Sequence, residues 1–124
     1  MQYLHLIQTA KYEQVGTLWA EDAVFYNPLG TVIQGRQNIQ TFYANFLQRI
    51  TPVVRAASVT EDASGRACVM ELESKMRREP DGTWKTDAKA PFSLSAIDRF
   101  TINDRGMIQH MIVYTAPPNR WMAP

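Results

Sequence analysis

The first half of the chain carries apolar residues at the three- and four-residue spacings of amphipathic helices. This spacing predicts a helical segment from the start of the chain through Trp19, with a break near residues 9–11. A second helix is predicted from Arg36 to about Gln48, because apolar residues form one stripe along it. The stripe consists of Ile39, Phe42, Tyr43, Phe46 and Leu47. Between the helices, two short β-type runs at residues 23–26 and 31–33 flank a turn signal.

After the second helix the apolar pattern changes to a period of two, which is typical of half-buried strands. Cys68, Met70 and Leu72, for example, alternate with mostly charged positions. Turn signals at residues 62–65, 80–82 and 103–106 predict four long strands, the last of them ending near Ala116. Helices followed by antiparallel strands indicate an α+β fold, in which a curved sheet around a long helix leaves a cavity. We expect any functional site in that cavity.

Composition excludes several classes of protein. The 124 residues fit one domain over residues 1–124, since two cores would each be too small to offset the entropy of ordering. The formal net charge is +1, with Lys and Arg scattered, which argues against nucleic acid or membranes as partners. No apolar run approaches the roughly 18 residues of a transmembrane helix. The first residues lack the features of a signal peptide, so a cytoplasmic location is expected.

Cysteine and histidine content limits the chemistry further. The single cysteine, Cys68, excludes an internal disulfide and is expected to be a buried small hydrophobe. His5 and His110 are far apart in sequence, and His110 falls on the outward face of the last strand. No metal site is therefore expected. The sequence also has no glycine-rich phosphate loop, zinc-protease helix or nucleophile elbow.

Asp98 is the most informative polar residue, because it shares a predicted strand face with Leu94, Ala96 and Phe100. A carboxyl group on such a face costs free energy unless it is paired or protonated. Arg99 is a poor partner, since adjacent strand residues point to opposite faces. A salt bridge to another cation and a functional role both remain open. Desolvation is expected to raise the pKa of Asp98 and favour the neutral acid.

Tyr3 and Tyr43 lie on apolar helix faces, where a phenol usually finds one hydrogen-bond partner. Each tyrosine shares a face of its helix with apolar residues, as Asp98 does on its strand, which predicts that all three converge inside one cavity. The residues expected to line it are Phe42, Met70, Leu72, Leu94, Met111 and Val113, and Trp19 and Tyr43 are also expected to contact the ligand.

Three segments resemble a known family. Residues 18–30 read LWAEDAVFYNPLG and resemble the LYADDATVEDPVG segment of the bacterial ketosteroid isomerases, within the SnoaL-like superfamily. Residues 35–45 resemble the helix of that family with the motif G…I…FYAN. Residues 96–106 resemble its strand and turn with the motif APIDHF…N..G. The resemblance implies the nuclear-transport-factor-2-like (cystatin-like) fold, a cone-shaped, mixed but mostly antiparallel sheet wrapped around N-terminal helices.

The same resemblance assigns roles to individual residues. The family uses an oxyanion-hole tyrosine, a general-base aspartate and a second oxyanion-hole aspartic acid, and these positions match Tyr3, Asn27 and Asp98. Tyr43 matches the tyrosine that hydrogen-bonds the first one, and Trp19 stands where a further network tyrosine is found. The base position thus carries an amide of negligible basicity, which is the main departure from the family.

The resemblance implies a pocket without a cofactor, for a small apolar ligand with a ketone, enol or phenol oxygen, similar to that of the steroid delta-isomerases. A weak or divergent isomerase in which Asn27 replaces the base is consistent with it, and so is a non-catalytic ligand-binding or dimerisation module. Family members commonly dimerise through the outer face of the sheet. A homodimer is therefore expected, with Val69, Arg99 and Ile112 near the contact.

Limonene-epoxide-hydrolase-like enzymes offer a less favoured alternative, since they share the fold. Tyr26 and Asn27 superficially resemble their water-holding pair. The arginine that these enzymes place two residues before the strand aspartate falls on Ala96, however, so the epoxide would have no electrophilic partner.

Overall fold

The computed structural model describes residues 2–27 and 30–115, and helical segments precede most of its strands. The helices are α1 (Gln2–Gln8), α2 (Tyr12–Val15), which continues into a 3-10 turn at Gly16–Leu18, and α3 (Arg36–Ile50). The strands are β1 (Trp19–Tyr26), β2 (Val32–Gln34), β3 (Val54–Glu61), β4 (Ala67–Arg78), β5 (Trp84–Thr86), β6 (Phe92–Ile102) and β7 (Ile108–Thr115). None of these helices is long and apolar enough to cross a membrane.

The strands form one mixed sheet with the order β2-β1-β7-β6-β4-β3, and β5 pairs with the far end of β4. β1 runs parallel to β7, whereas the other described pairings are antiparallel. The sheet curls into a half-barrel against the helices. The predicted α+β architecture, with a curved and mostly antiparallel sheet around N-terminal helices, is confirmed.

The N-terminal helical segment differs from the prediction at its end. The break near residues 9–11 is confirmed, because Ala10 adopts a left-handed φ of 58° between α1 and α2. Helical structure ends at Leu18, however, and Trp19 is the first residue of β1. The prediction of helix through Trp19 is wrong there, because pairing beside Ile108 of the parallel strand β7 gives this residue an extended backbone.

The prediction of four long strands in the second half is also wrong at one point. The segment after residues 80–82 forms the short β5 and then the long β6, separated by a turn. In that turn the amide of Ala90 donates to the carbonyl of Asp87, and the carboxylate of Asp87 accepts from the amide of Lys89. Asp87 followed by Pro91 is the turn signal that marks this break.

Helix α3 lies against the sheet through its predicted stripe, of which Ile39, Tyr43 and Leu47 are buried. Two glycines allow this placement. Gly35 precedes the helix with a φ of +89°, in the left-handed region, and a Cβ on Gly16 would come within 2.3 Å of the Gln40 Cβ. The 3-10 turn and α3 therefore pack closely against each other.

Candidate functional site

Asp98 lies in the middle of the inner face of the sheet. In the register it stands opposite Met70 of β4 on one side and Val113 of β7 on the other. Met70 is fully buried, and only 1% of Asp98 is exposed. The expectation that Asp98 faces the apolar interior is therefore confirmed.

Most of the residues expected to line the site do belong to the core around Asp98. Met70, Leu72 and Met111 are buried, and Phe42 and Val113 are half-buried and pack against them. Leu94 is an exception: it is half-buried and is not a member of this cluster. A register shift between β4 and β6 pairs Leu72 with Ala96 but Glu73 with Leu94, so the alternation predicted for β6 breaks at Ser95.

Tyr3 and Tyr43 meet beside Asp98, as predicted. Their hydroxyl oxygens lie 3.2 Å apart, and the Tyr43 hydroxyl also lies 3.4 Å from Met111 Sδ. A thioether sulfur can only accept, so Tyr43 can donate to Met111, whereas either hydroxyl can donate in the bond between the two tyrosines. Met111 was expected only as a lining residue, and thioether acceptors have no sequence pattern that would reveal this role.

The environment of Asp98 favours its neutral form. Neither carboxyl oxygen has a well-formed hydrogen bond within the described part of the chain. Burial raises the pKa of Asp98 to about 7, and the nearby Tyr3 hydroxyl opposes this rise only in part. The predicted upward shift is confirmed. A neutral carboxylic acid can donate a hydrogen bond, which a carboxylate cannot.

Both tyrosines are held neutral as well. Burial, and then the neighbouring Tyr43 and Asp98, raise the pKa of Tyr3 well above its usual value. Burial and the charge of Asp98 do the same for the pKa of Tyr43. Below about pH 7 the three groups therefore present hydrogen-bond donors and not charges.

Aromatic rings surround this trio. The Tyr3 ring makes edge contacts with Trp19 and Phe100, at centroid distances of 5.9 and 5.3 Å. The Tyr43 ring contacts Trp19 and Phe25, both at 5.2 Å. Trp19 is fully buried, and its indole Nε1 has no hydrogen-bond partner among the described residues.

Asn27 follows directly on β1 and is half-buried. The backbone amide of Asn27 donates to the Thr31 carbonyl at 2.9 Å, and its backbone carbonyl accepts from the Gly30 amide at 3.0 Å. Asn27 is therefore the first residue of the predicted turn. Residues 28 and 29 of that turn signal lie outside the described residues. Since Tyr26 pairs with Ile112, Asn27 continues the strand beside Val113, the partner of Asp98. Asn27 and Asp98 are therefore two strand spacings apart, which is about 10 Å.

Two clefts open near the core, and neither is the predicted cavity lined by the six apolar residues. The smaller one, of about 270 Å³, is lined by Tyr3, Cys68 and Phe100 among others, so it reaches one edge of the site. The larger one, of about 580 Å³, is polar and is lined by Arg36, Arg105 and Gln109 among others.

The remaining candidate residues lie apart from the site. His110 is exposed on the outer side of β7 and contacts the Thr101 hydroxyl at 3.2 Å, in agreement with its expected orientation. Cys68 is buried, as expected, and burial raises the pKa of its thiol. Among the described residues no group of three or more His, Cys, Asp or Glu side chains could hold a metal ion.

Comparisons with known proteins agree with this architecture. Residues 1–111 match the SnoaL-like domain family. No curated protein sequence matches the chain closely enough to serve as a relative.

Several solved structures share the fold. A steroid delta-isomerase from Pseudomonas aeruginosa is 18% identical with a TM-score of 0.71, over 95% of this chain and 77% of that one. Rv0760c from Mycobacterium tuberculosis, solved in complex with estradiol-17beta-hemisuccinate, is 18% identical with a TM-score of 0.68, over 90% of this chain and 86% of that one. SalBIII, an epoxide hydrolase/cyclase-like enzyme in pyran ring formation in the polyether salinomycin, is 17% identical with a TM-score of 0.70, over 93% and 85%.

At these identities the structures show a common fold, and the family match covers most of the sequence. The chain belongs to the SnoaL-like domain family, within the nuclear-transport-factor-2-like superfamily.

Proposed function

We propose that this protein binds a small hydrophobic ligand through a ketone, enol or phenol oxygen, which Tyr3 and neutral Asp98 hold by hydrogen bonds. The observation that carries this proposal is the meeting of Tyr3, Tyr43 and Asp98 in an apolar interior, where neither oxygen of Asp98 has a well-formed hydrogen bond among the described residues. An unpartnered buried carboxyl group is costly, typically about 1–3 kcal/mol. A ligand oxygen between the two donors would offset that cost.

The chemistry of such a pair is that of an oxyanion hole. Donors aimed at a ketone oxygen stabilise the negative charge that develops there when an enolate forms. A positioned base must still remove a proton from carbon, and its loss typically costs about 10²–10⁴-fold in rate. With Asn27 at the position of that base, the site supports ligand binding, and at most weak or divergent isomerisation.

Similar structures support the choice of ligand class. One of them is named as a steroid delta-isomerase, one was solved with estradiol-17beta-hemisuccinate, and another is a computationally designed 17-OHP binder. We therefore favour a flat, largely apolar molecule of steroid-like chemistry over a charged metabolite.

Access to Asp98 is proposed through the smaller cleft. Tyr3 and Phe100 line this cleft and also contact each other beside Asp98. Rotation of the Tyr3 side chain would connect the cleft to the carboxyl group without unfolding α1. The ligand would then meet Tyr3 first and Asp98 behind it.

Thermal shift with a ligand panel tests the proposal, because a molecule that binds the folded chain raises the unfolding midpoint. The panel pairs each ligand with an analogue in which a methyl group replaces the hydroxyl group, such as para-nitrophenol with para-nitrotoluene. The hydroxyl-bearing member should raise the midpoint more, and Asp98→Leu should reduce this difference. Equal shifts for both members in the wild type would contradict the proposal.

A non-catalytic dimerisation module is a second candidate, for which the outer face of the sheet is the supporting observation. Tyr26, Ile112, Arg99 and Val69 form one row across β1, β7, β6 and β4. Tyr26 and Val69 are 40% and 36% exposed. The two functions are compatible, since the row lies on the side opposite Asp98.

The epoxide-hydrolase alternative receives no support from the geometry. Tyr26, which would help to hold the water, is exposed and falls in the outer row with Ile112. Asp98 faces the other side of the sheet. Ala96, at the position of the required arginine, has no polar side chain.

A further inference from the structure

Trp19 is held rigidly between the two tyrosines. Its carbonyl oxygen accepts from Arg36 Nε at 2.7 Å, which fixes the start of β1 against α3. Its indole contacts the rings of Tyr3 and Tyr43 at 5.9 and 5.2 Å. The side chain is fully buried, so it cannot turn its polar atom to solvent.

The indole Nε1–H is a donor without an acceptor in the described part of the chain. An indole nitrogen can only donate, and buried indoles usually find a partner. The nearby tyrosine oxygens are already engaged with each other and with Met111. The unsatisfied donor therefore lies in the same aromatic cluster as the unsatisfied carboxyl group of Asp98.

The buried part of this cluster contains no cation. Ser74 and Asp98 are the buried polar or charged residues of the described chain. An anionic oxygen placed here would be stabilised by hydrogen bonds alone, so the number of donors determines how well it is bound. Tyr3 and neutral Asp98 provide two donors, and a third would favour an oxyanion over a neutral oxygen.

We infer that Trp19 is a specificity-determining residue whose indole N–H gives the ligand oxygen a third hydrogen bond. This inference rests on the proposed function and narrows it: the preferred ligand is an acidic phenol or a stabilised enol, bound as its anion. A ketone of equal size, which carries less negative charge on oxygen, binds more weakly.

The test removes the indole N–H and keeps the size and shape of the fused ring. Trp19→benzothienylalanine keeps the fused-ring shape and has sulfur in place of the N–H, and the same replacement of the partly exposed Trp84 is the matched control. Affinity is measured for para-nitrophenol, whose absorption reports its ionised form, and for para-nitrotoluene. Loss of one charge-assisted hydrogen bond should weaken phenolate binding roughly tenfold and leave para-nitrotoluene binding unchanged.

The outcomes separate the two proposals. If the wild type prefers the phenolate and the Trp19 variant retains that preference in full, the role of Trp19 is wrong and the proposed function stands. If the wild type itself shows no preference for para-nitrophenol over para-nitrotoluene, both are wrong. Should the variant not fold, ¹⁵N NMR of the wild-type indole decides: the Trp19 Nε1–H resonance must move downfield when the phenolate is added, and an unmoved resonance overturns the inference.

Discussion

The hydroxyl oxygens of Tyr3 and Tyr43 lie 3.2 Å apart, although 40 positions separate the two residues in the chain. The Tyr43 hydroxyl can donate to Met111 Sδ at 3.4 Å, a weak acceptor, and the Tyr3 hydroxyl lies near enough to Asp98 to lower the pKa of that carboxyl. A ligand oxygen beside Tyr3 is a stronger acceptor than sulfur. In the bound state Tyr43 would therefore donate to Tyr3, and Tyr3 would donate to the ligand.

The first prediction concerns Tyr3. Tyr3→Phe removes the direct donor and should weaken para-nitrophenolate binding roughly tenfold or more, since hydrogen bonds to charged groups are the stronger ones. Tyr114→Phe, at an exposed position, is the control and should bind as the wild type does. Isothermal titration of both variants measures the effect. Unchanged affinity for Tyr3→Phe would remove Tyr3 from the site.

The second prediction concerns the pH dependence of stability. The folded-state pKa of Asp98 is raised to about 7, so between about pH 4 and pH 7 the folded chain binds more protons at this residue than the unfolded chain does. Its contribution to the free energy of unfolding is then largest at low pH and is lost as the pH rises to 7. A shift of this size corresponds to about 4 kcal/mol, as an order of magnitude.

Asp98→Asn removes the titrating group and isolates this contribution. At pH 8 the variant should be the more stable protein, because the wild type then buries an unpaired charge. The free energy of unfolding, measured by denaturant titration at several pH values, gives the difference between the two. Asp62 and Asp81, whose pKa values are lowered by nearby hydroxyls and amides, act in the opposite direction at lower pH and cancel in the comparison. A difference that does not change with pH would contradict the neutral acid.

Strand parity was sufficient to predict that Asp98 faces the interior, because β4, β6 and β7 keep a regular alternation around it. It failed for Leu94, since a single extra residue at the Ser95 bulge reverses which face a strand position occupies. Pattern alone predicts no bulge. The register that places Asp98 between Met70 and Val113 became visible only when the strands were paired.

The convergence of Tyr3 and Tyr43 has a different origin. Helical spacing placed each on an apolar face and so predicted that the two converge, and the family resemblance added the hydrogen bond between them. The strand assignment of Trp19 was missed because its pairing with Ile108 joins distant parts of the chain. Such long-range pairing overrides local periodicity.

The third prediction concerns assembly. If the outer row of Tyr26, Ile112, Arg99 and Val69 forms a homodimer contact, a charge at Val69 should weaken it. Val69→Glu lies opposite Arg99, which can pair with the new carboxylate within the monomer. The variant should sediment as a monomer at concentrations where the wild type is a dimer, and Gln37→Glu on the exposed side of α3 should have no effect. A wild type that is monomeric at every concentration would contradict the homodimer.

The fourth prediction concerns Asn27, and it distinguishes an isomerase-like pocket from a purely binding one. Asn27→Asp places a carboxylate beside Val113, two strands from Asp98, at the position that matches the family base. Donors at Tyr3 and Asp98 stabilise an enolate only if a group removes the proton that generates it, so the variant should isomerise a β,γ-unsaturated ketone about 10²–10⁴-fold faster than the wild type. Initial rates are followed by the ultraviolet absorption of the conjugated product, with Asn45→Asp on the exposed side of α3 as the matched control. If Asn27→Asp folds and binds para-nitrophenol but gains no activity, the oxygen-binding site stands and the enzyme alternative is wrong. If it gains activity, the pocket already holds the ketone in a geometry fit for proton transfer, and the amide at residue 27 accounts for the low rate of the wild type.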